Sequence, residues 1–185
     1  LCDSNSLRLN MKRFFSLLVL LSAWTSLVQA QITFSKEYGG FYDEDGRWME
    51  QTSDSGFVMV GGTETYSNGQ SDIWLVRTDA YGNVLWNRSY GDTQFDFANM
   101  VRNTSDGGFV IAGFTGSFGA VNNDGWIIKT DGSGNIQWTR MIGDNGIQEI
   151  EAIIQTTDGG YAALGYNQST GTQWYDMWLI RLNAN

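Results

Sequence analysis

Apolar and polar positions alternate over short runs along residues 32–185, four runs to a set. In the second set the runs are residues 99–104, 109–114, 126–130 and 136–141. β-Branched and aromatic residues dominate them, and Gly, Asp and Asn stand between them. They are too short for helices, and no stripe of period 3.6 competes. The second run is apolar almost without interruption, as expected of a strand covered on both faces. Asp-Gly-Gly or Asp-Ser-Gly joins the first run to the second. Asp79-Ala80-Tyr81-Gly82-Asn83 and Asp131-Gly132-Ser133-Gly134-Asn135 join the third to the fourth. Both supply the positive-φ residues of tight hairpins.

The set returns every 52 residues. Thr52-Ser53-Asp54-Ser55-Gly56 comes back as Thr104-Ser105-Asp106-Gly107-Gly108 and as Thr156-Thr157-Asp158-Gly159-Gly160. Trp74, Trp126 and Trp178 keep the spacing, as do Asp72, Asp124 and Asp176. A period without insertions is a structural unit, and one such unit buries its apolar faces only against a neighbour. Four antiparallel strands per unit, stacked, make a β-propeller blade. The expected fold is all-β and propeller-like, with three four-stranded antiparallel blades over repeats 32–83, 84–135 and 136–185. They form one domain, residues 31–185.

Gly-Asn-x-x-Trp, Thr-Ser-Asp-Gly-Gly-Phe-Val-x-Ala-Gly and Asp-x-Trp-x-x-Lys-Thr-Asp together resemble the propeller-type repeats of large secreted proteins in environmental Gram-negative bacteria. The resemblance spans residues 32–185. It implies export, often by type IX secretion, and a place at the cell surface. It implies little about ligands.

The repeat phase predicts a lone fourth-type strand at residues 32–37 and a last third-type strand at 178–181. The final blade then lacks its outer strand. Two readings are open: a ring closed by exchanging a strand between the ends, or a truncated array. Three blades fall below the usual four to eight. If each bare end face holds about 250 Å² of apolar surface, at about 25 cal/mol/Å² roughly 12 kcal/mol is forgone in all. That is comparable to a domain's whole stability. Further repeats, or a homodimer completing a six-blade ring, are therefore expected.

Residues 11–30 change the picture at the N-terminus. Met11-Lys12-Arg13 is basic, residues 14–28 are apolar, and Val28-Gln29-Ala30 is a small-x-small cleavage site. This predicts a signal-peptide helix cut after Ala30, with residues 1–10 upstream of it and without a role in the fold. The alternative is a retained anchor. Location is then secreted, at the outer surface or in the periplasm. Residues 31–185 hold no Cys, His or Pro. Setting aside residues 1–30 removes three basic residues and one acidic one. What remains is 8 Lys+Arg against 19 Asp+Glu, a formal charge of −11. That sign disfavours nucleic acid and anionic membrane surfaces. No membrane insertion is expected after cleavage.

Candidate chemistry follows from direction. Strands alternate, so the two short hairpins of each repeat share one rim. The longer loops, which differ between repeats, share the other and are free for contact. Their aromatic residues Tyr42, Tyr66, Phe118, Trp174 and Tyr175 are the candidate ligand-binding set, for a glycan or a protein. Trp174 and Tyr175 replace Asn122 and Asn123 of the previous repeat, so blade construction does not demand them. The opposing reading folds them down over the last blade. Asp43-Glu44-Asp45-Gly46 is an acidic turn loosely like a calcium loop, with Asp43 and Asp45 the weak candidate ligands. A solvated turn is the plainer reading. Asp72, Asp124 and Asp176 are read as backbone caps at strand entry. The repeated Trp residues, with Trp86 and Trp138, are read as core. Arg77, Lys129 and Arg181, and likewise Lys36, Arg88 and Arg140, are read as pairing with acidic neighbours across strands. Without His or Cys there is no triad, thiol nucleophile or His-ligated metal. A non-catalytic binding or scaffold module is therefore expected. The alternatives are a spacer in a larger surface protein and a two-carboxylate polysaccharide hydrolase. No cofactor is required, calcium aside.

Overall fold

The hairpins set the architecture. The computed structural model describes residues 33–168, 171 and 173–184. Gly107 N donates to Thr104 O at 2.9 Å and Thr104 N to Gly108 O at 3.0 Å, and matching bonds close the turns at Thr52 and Thr156. Gly107 carries φ 81°, a conformation that disfavours an L side chain. In the first repeat Ser55 adopts it at φ 68°. At the other hairpins, Asp79 Oδ1 accepts from Tyr81 N and Asn83 N at 2.8 Å, and Asp131 Oδ1 from Ser133 N and Asn135 N at 2.9 Å. These are Asx turns.

Eleven strands lie among the described residues, and no helix. The first sheet is β1 (Glu44–Gln51), β2 (Phe57–Thr63), β3 (Asp72–Thr78) and β4 (Val84–Tyr90). The second is β5 (Asp96–Asn103), β6 (Phe109–Thr115), β7 (Asp124–Thr130) and β8 (Ile136–Ile142). The third is β9 (Ile147–Gln155), β10 (Tyr161–Gln168) and β11 (Asp176–Leu182). All pairs are antiparallel and follow chain order. The chain is thus all-β, with antiparallel sheets of four, four and three strands. Within each sheet the repeated Trp faces a glycine: Gly61 opposite Trp74, Gly113 opposite Trp126, Gly165 opposite Trp178.

Two expectations need correction. The fourth-type strand at 32–37 is absent from its described part: residues 33–40 carry no strand. A strand needs a ladder partner for its backbone groups, and residues 33–40 join none of the described sheets. The acidic turn is also not a turn from Glu44 onward, because β1 begins there and Asp45 pairs with Gly62. The signal-peptide helix falls outside the described residues. The chain divides into a unit Leu1–Ser35 and a unit Lys36–Asn185, and the eleven described strands lie in the second.

The sheets pack face to face. Val58, Val60, Ile73 and Leu75 of the first meet Val101, Phe109, Ile111, Trp126 and Ile128 of the second, with Trp86 against them. The other face of the second sheet, Val110, Ala112 and Ile127, meets Ile150, Ile153, Tyr161 and Ala163 of the third. Burying such side chains supplies about 1.5–3 kcal/mol each, before the entropy of ordering them. Backbone bonds clamp the joints at one rim: Asp96 N to Ser71 O and Gln148 N to Asn123 O, both 2.8 Å. Tyr90 of β4 donates its hydroxyl to Gly134 O in the next sheet at 2.7 Å.

Candidate functional site

The antiparallel order puts the β1–β2 and β3–β4 hairpins on one rim and loops 64–71 and 91–95 on the other. The hairpin rim is wired the same way in each repeat. Asp54, Asp106 and Asp158 accept from the preceding Thr hydroxyl and pair with Arg77, Lys129 and Arg181 of the third strand. The third-strand cations thus find acidic partners in the hairpin turn. The fourth-strand cations do not: Arg88 and Arg140 donate to the carbonyls of Asn87 and Thr139 and lie over Trp86 and Trp138. Lys36 donates to Asn83 Oδ1 at 2.5 Å. Among the described residues no ion pair holds Arg88 or Arg140, and their guanidinium groups lie over the indole faces instead.

The loop rim carries all five aromatic candidates, and all are exposed. Tyr66 stacks on Trp74 with centroids 5.5 Å apart and planes at 29°. Phe118 packs on Trp126 at 5.3 Å. Residues 66 and 118 are one period apart, as are their indole partners, so this pairing belongs to the repeat itself. The sequence signal was there, an aromatic residue eight before each of these Trp residues, and it assigns Tyr66 and Phe118 a share in construction as well as exposure. Phe118 also sits at φ 55°, a strained conformation for a bulky side chain. Tyr175 meets Tyr166 of β10 edge-on at 5.0 Å, and Tyr42 meets Phe41 edge-on at 5.3 Å. Trp174 keeps 79% of its surface in solvent.

The acidic candidates Asp43 and Asp45 are both exposed. Asp45 Oδ2 accepts from Arg47 Nε at 2.7 Å and Oδ1 from Gly62 N at 2.7 Å. Asp43 O accepts from Glu64 N. Burial pushes the Glu44 carboxyl up, but hydrogen bonds from Thr65, Gly40 and Thr63 outweigh it and hold it below the ordinary value. Among the described residues no group of three or more His, Cys, Asp or Glu is arranged to hold a metal ion. Beside Asp43 and Asp45 a cleft of about 250 Å³ opens at the joint of the first two sheets, where Ser71, Phe95 and Phe97 join them.

Asp72 caps the loop before β3, accepting from Asn68 N at 3.1 Å. Its Oδ1, and that of Asp124, is buried without a hydrogen-bond partner. Asp176 is exposed. Sequence reasoning missed the neighbour of Asp72, the fully buried Asp96 of the next sheet. No local pattern links residues 24 apart on two sheets. No protein-family model matches the chain, and no curated protein matches it either.

Proposed function

We propose that the chain is an exported, non-catalytic β-propeller-type module that binds a glycan or protein at the cell surface through its loop rim. The observation that carries this reading is Trp174, a large aromatic side chain left 79% exposed on a loop that repeat construction does not oblige to be aromatic. An exposed indole offers a flat apolar face, which suits the C–H face of a sugar ring or an apolar side chain. The cleft beside Asp43 and Asp45 adds acceptors next to the Phe95 ring, the mixture a polyhydroxyl ligand needs. Packing of successive sheets through matching positions supports the propeller-type architecture. A glycan array probed with the wild-type chain and with Trp174→Ala tests the binding role. The expected result is loss of the captured glycan with thermal stability changed by less than about 1 kcal/mol. A large loss of stability with capture unchanged would return Trp174 to a structural role. A spacer in a larger surface protein is the second reading, favoured by the exposed outer face of the third sheet.

A further inference from the structure

One position of the repeat carries a ring in two copies and none in the first. Gly62 corresponds to Phe114 one period on and to Tyr166 two periods on. Phe114 lies across the ladder from Phe97 and stacks on it, with centroids 5.7 Å apart and planes at 19°. Tyr166 lies across from Glu149 and meets Tyr175 edge-on. Gly62 lies across from Asp45, and the cleft of about 250 Å³ opens beside it. A Cβ on Gly62 would stand 3.0 Å from Asp45 Oδ1, 3.1 Å from Ser71 Oγ and 3.2 Å from Phe97 Cε2. A carboxylate, a hydroxyl and a ring edge thus converge where the other repeats place a side chain.

The hydroxyl is held there without a partner. Ser71 is 8% exposed, and Asp96 N fixes its carbonyl at 2.8 Å. The corresponding Asn123 donates Nδ2 to Glu149 Oε1 at 2.9 Å. In the first joint Phe97 takes the place of Glu149, and its ring carries no such acceptor. Among the described residues the Ser71 hydroxyl makes no hydrogen bond, although it lines the cleft. A buried polar group left so is costly unless something enters to meet it. The free charge around it has one sign. Asp43 and Glu64 line the cleft, are exposed, and join no ion pair among the described residues. Arg47 is already engaged, with Nε on Asp45 Oδ2 at 2.7 Å and its guanidinium 4.4 Å from the Phe97 ring centroid. Asp45 Oδ1 accepts from Gly62 N at 2.7 Å and keeps a second lone pair.

We propose that this cleft holds an amino sugar, its ammonium group among Asp43, Asp45 and Glu64 and its ring in the place that Phe114 and Tyr166 fill in the other repeats. Carboxylates without a free cation beside them favour a positively charged donor over a neutral one. Phe95, half exposed, gives the C–H face of the sugar a wall. The Ser71 hydroxyl meets a hydroxyl of the sugar. A lysine side chain brings the same ammonium group but neither a ring for the empty place nor a hydroxyl for Ser71. That the ligand is a sugar rests on the glycan-binding reading of the loop rim.

Titration of the chain followed by amide NMR signals tests it, at about pH 6, where the amine is protonated and exposed carboxyls are ionised. Glucosamine should move the signals of Gly62 and Ser71 and bind at least tenfold more tightly than N-acetylglucosamine or glucose. Gly62→Phe gives the first repeat the ring of the second, keeps every charge, and should abolish these shifts. Should Gly62→Phe fold poorly, Ser71→Ala combined with Glu64→Gln is the second variant, expected to weaken glucosamine at least tenfold. Equal binding of the three sugars overturns the proposal. So does glucosamine binding that Gly62→Phe leaves unchanged, the result expected of attraction to the negative chain as a whole. Tighter binding of Nα-acetyl-lysine amide than of glucosamine assigns the cleft to a protein's lysine and overturns the sugar. Trp174 does not line the cleft, so the two readings fail separately. No glucosamine binding beside Trp174-dependent capture of neutral glycans overturns this inference alone, and no binding with no capture overturns both.

Discussion

Asp72 and Asp96 converge on the α-carbon of Gly91 in the joint between the first two sheets. A Cβ at that glycine would stand 2.4 Å from Asp72 Oδ1 and 2.7 Å from Asp96 Oδ2. Both aspartates are completely buried. Asp96 is surrounded by donors: the hydroxyls of Thr115 and Ser117 and the N–H of Asp92. Among the described residues Asp72 receives only Asn68 N. Burial pushes its carboxyl up to about 6, the Asn68 N–H opposes this, and Asp96 and Asp92 add to the rise. In the second joint the place of Asp96 is taken by the neutral Gln148 beside Asp124.

A carboxyl raised in the folded state stabilises the fold fully below its unfolded value, near 4, and loses that contribution as pH rises through about 6. The chain should therefore unfold more easily at pH 8 than at pH 5. Asp72→Asn should remove this slope, raising stability at pH 8 by up to about 3 kcal/mol with little change at pH 4. Chemical denaturation of both proteins at the two pH values is the measurement. Equal slopes would remove Asp72 as the cause.

Below pH 4 the hairpin aspartates act in the opposite sense. Hydrogen bonds from Thr52 and Arg77 hold Asp54 down to about 2. For Asp106 burial pushes upward, but Thr104, Lys129 and Gly108 outweigh it and hold it to about 2. Their contribution is present above pH 4 and is lost as pH falls through about 2. Stability should peak between these losses, near pH 4–6, in a thermal-melting series.

The three turn-to-strand ion pairs are not equal. Lys129 is 2% exposed and also donates to Thr130 O and Gln137 Oε1. The side chain of Arg181 is half exposed. Removing the partner of a buried cation leaves its charge uncompensated, whereas an exposed pair is worth little. Asp106→Ala should therefore cost about 2–3 kcal/mol and Asp158→Ala markedly less, read from urea midpoints.

At Phe118 the ring contact and the backbone strain can be separated. Phe118→Ala and Phe118→Asn both lose the packing on Trp126, but Asn tolerates positive φ where Ala does not. The Asn variant should be the more stable of the two by about 1 kcal/mol. Equal stabilities would mean that φ 55° carries no strain at this position.

Gly113 lies where β5 bulges between Ala98 and Met100. A Cβ there would stand 1.9 Å from Phe97 O, and Gly61 and Gly165 meet Asp45 O and Glu149 O as closely. Gly113→Ala must push backbone from backbone, so a loss above about 3 kcal/mol is expected in equilibrium unfolding.

Much of this fold is local, and the amino-acid order determined it alone. Period-two alternation, the Thr-x-Asp turns and the Asx turns act within a few residues, so the strands of each repeat and their 52-residue spacing were legible without coordinates. The candidate rim was legible too, because alternating strand direction sorts the loops. What tertiary structure decided depends on groups brought together from afar. β1 begins at Glu44 because β2 offers it a ladder, and residues 33–40 carry no strand. Arg88 and Arg140 lie over indoles, and among the described residues no ion pair holds them. Asp72 meets Asp96 only because two sheets stack, and their desolvation arises from that stacking, which no stretch of chain encodes by itself.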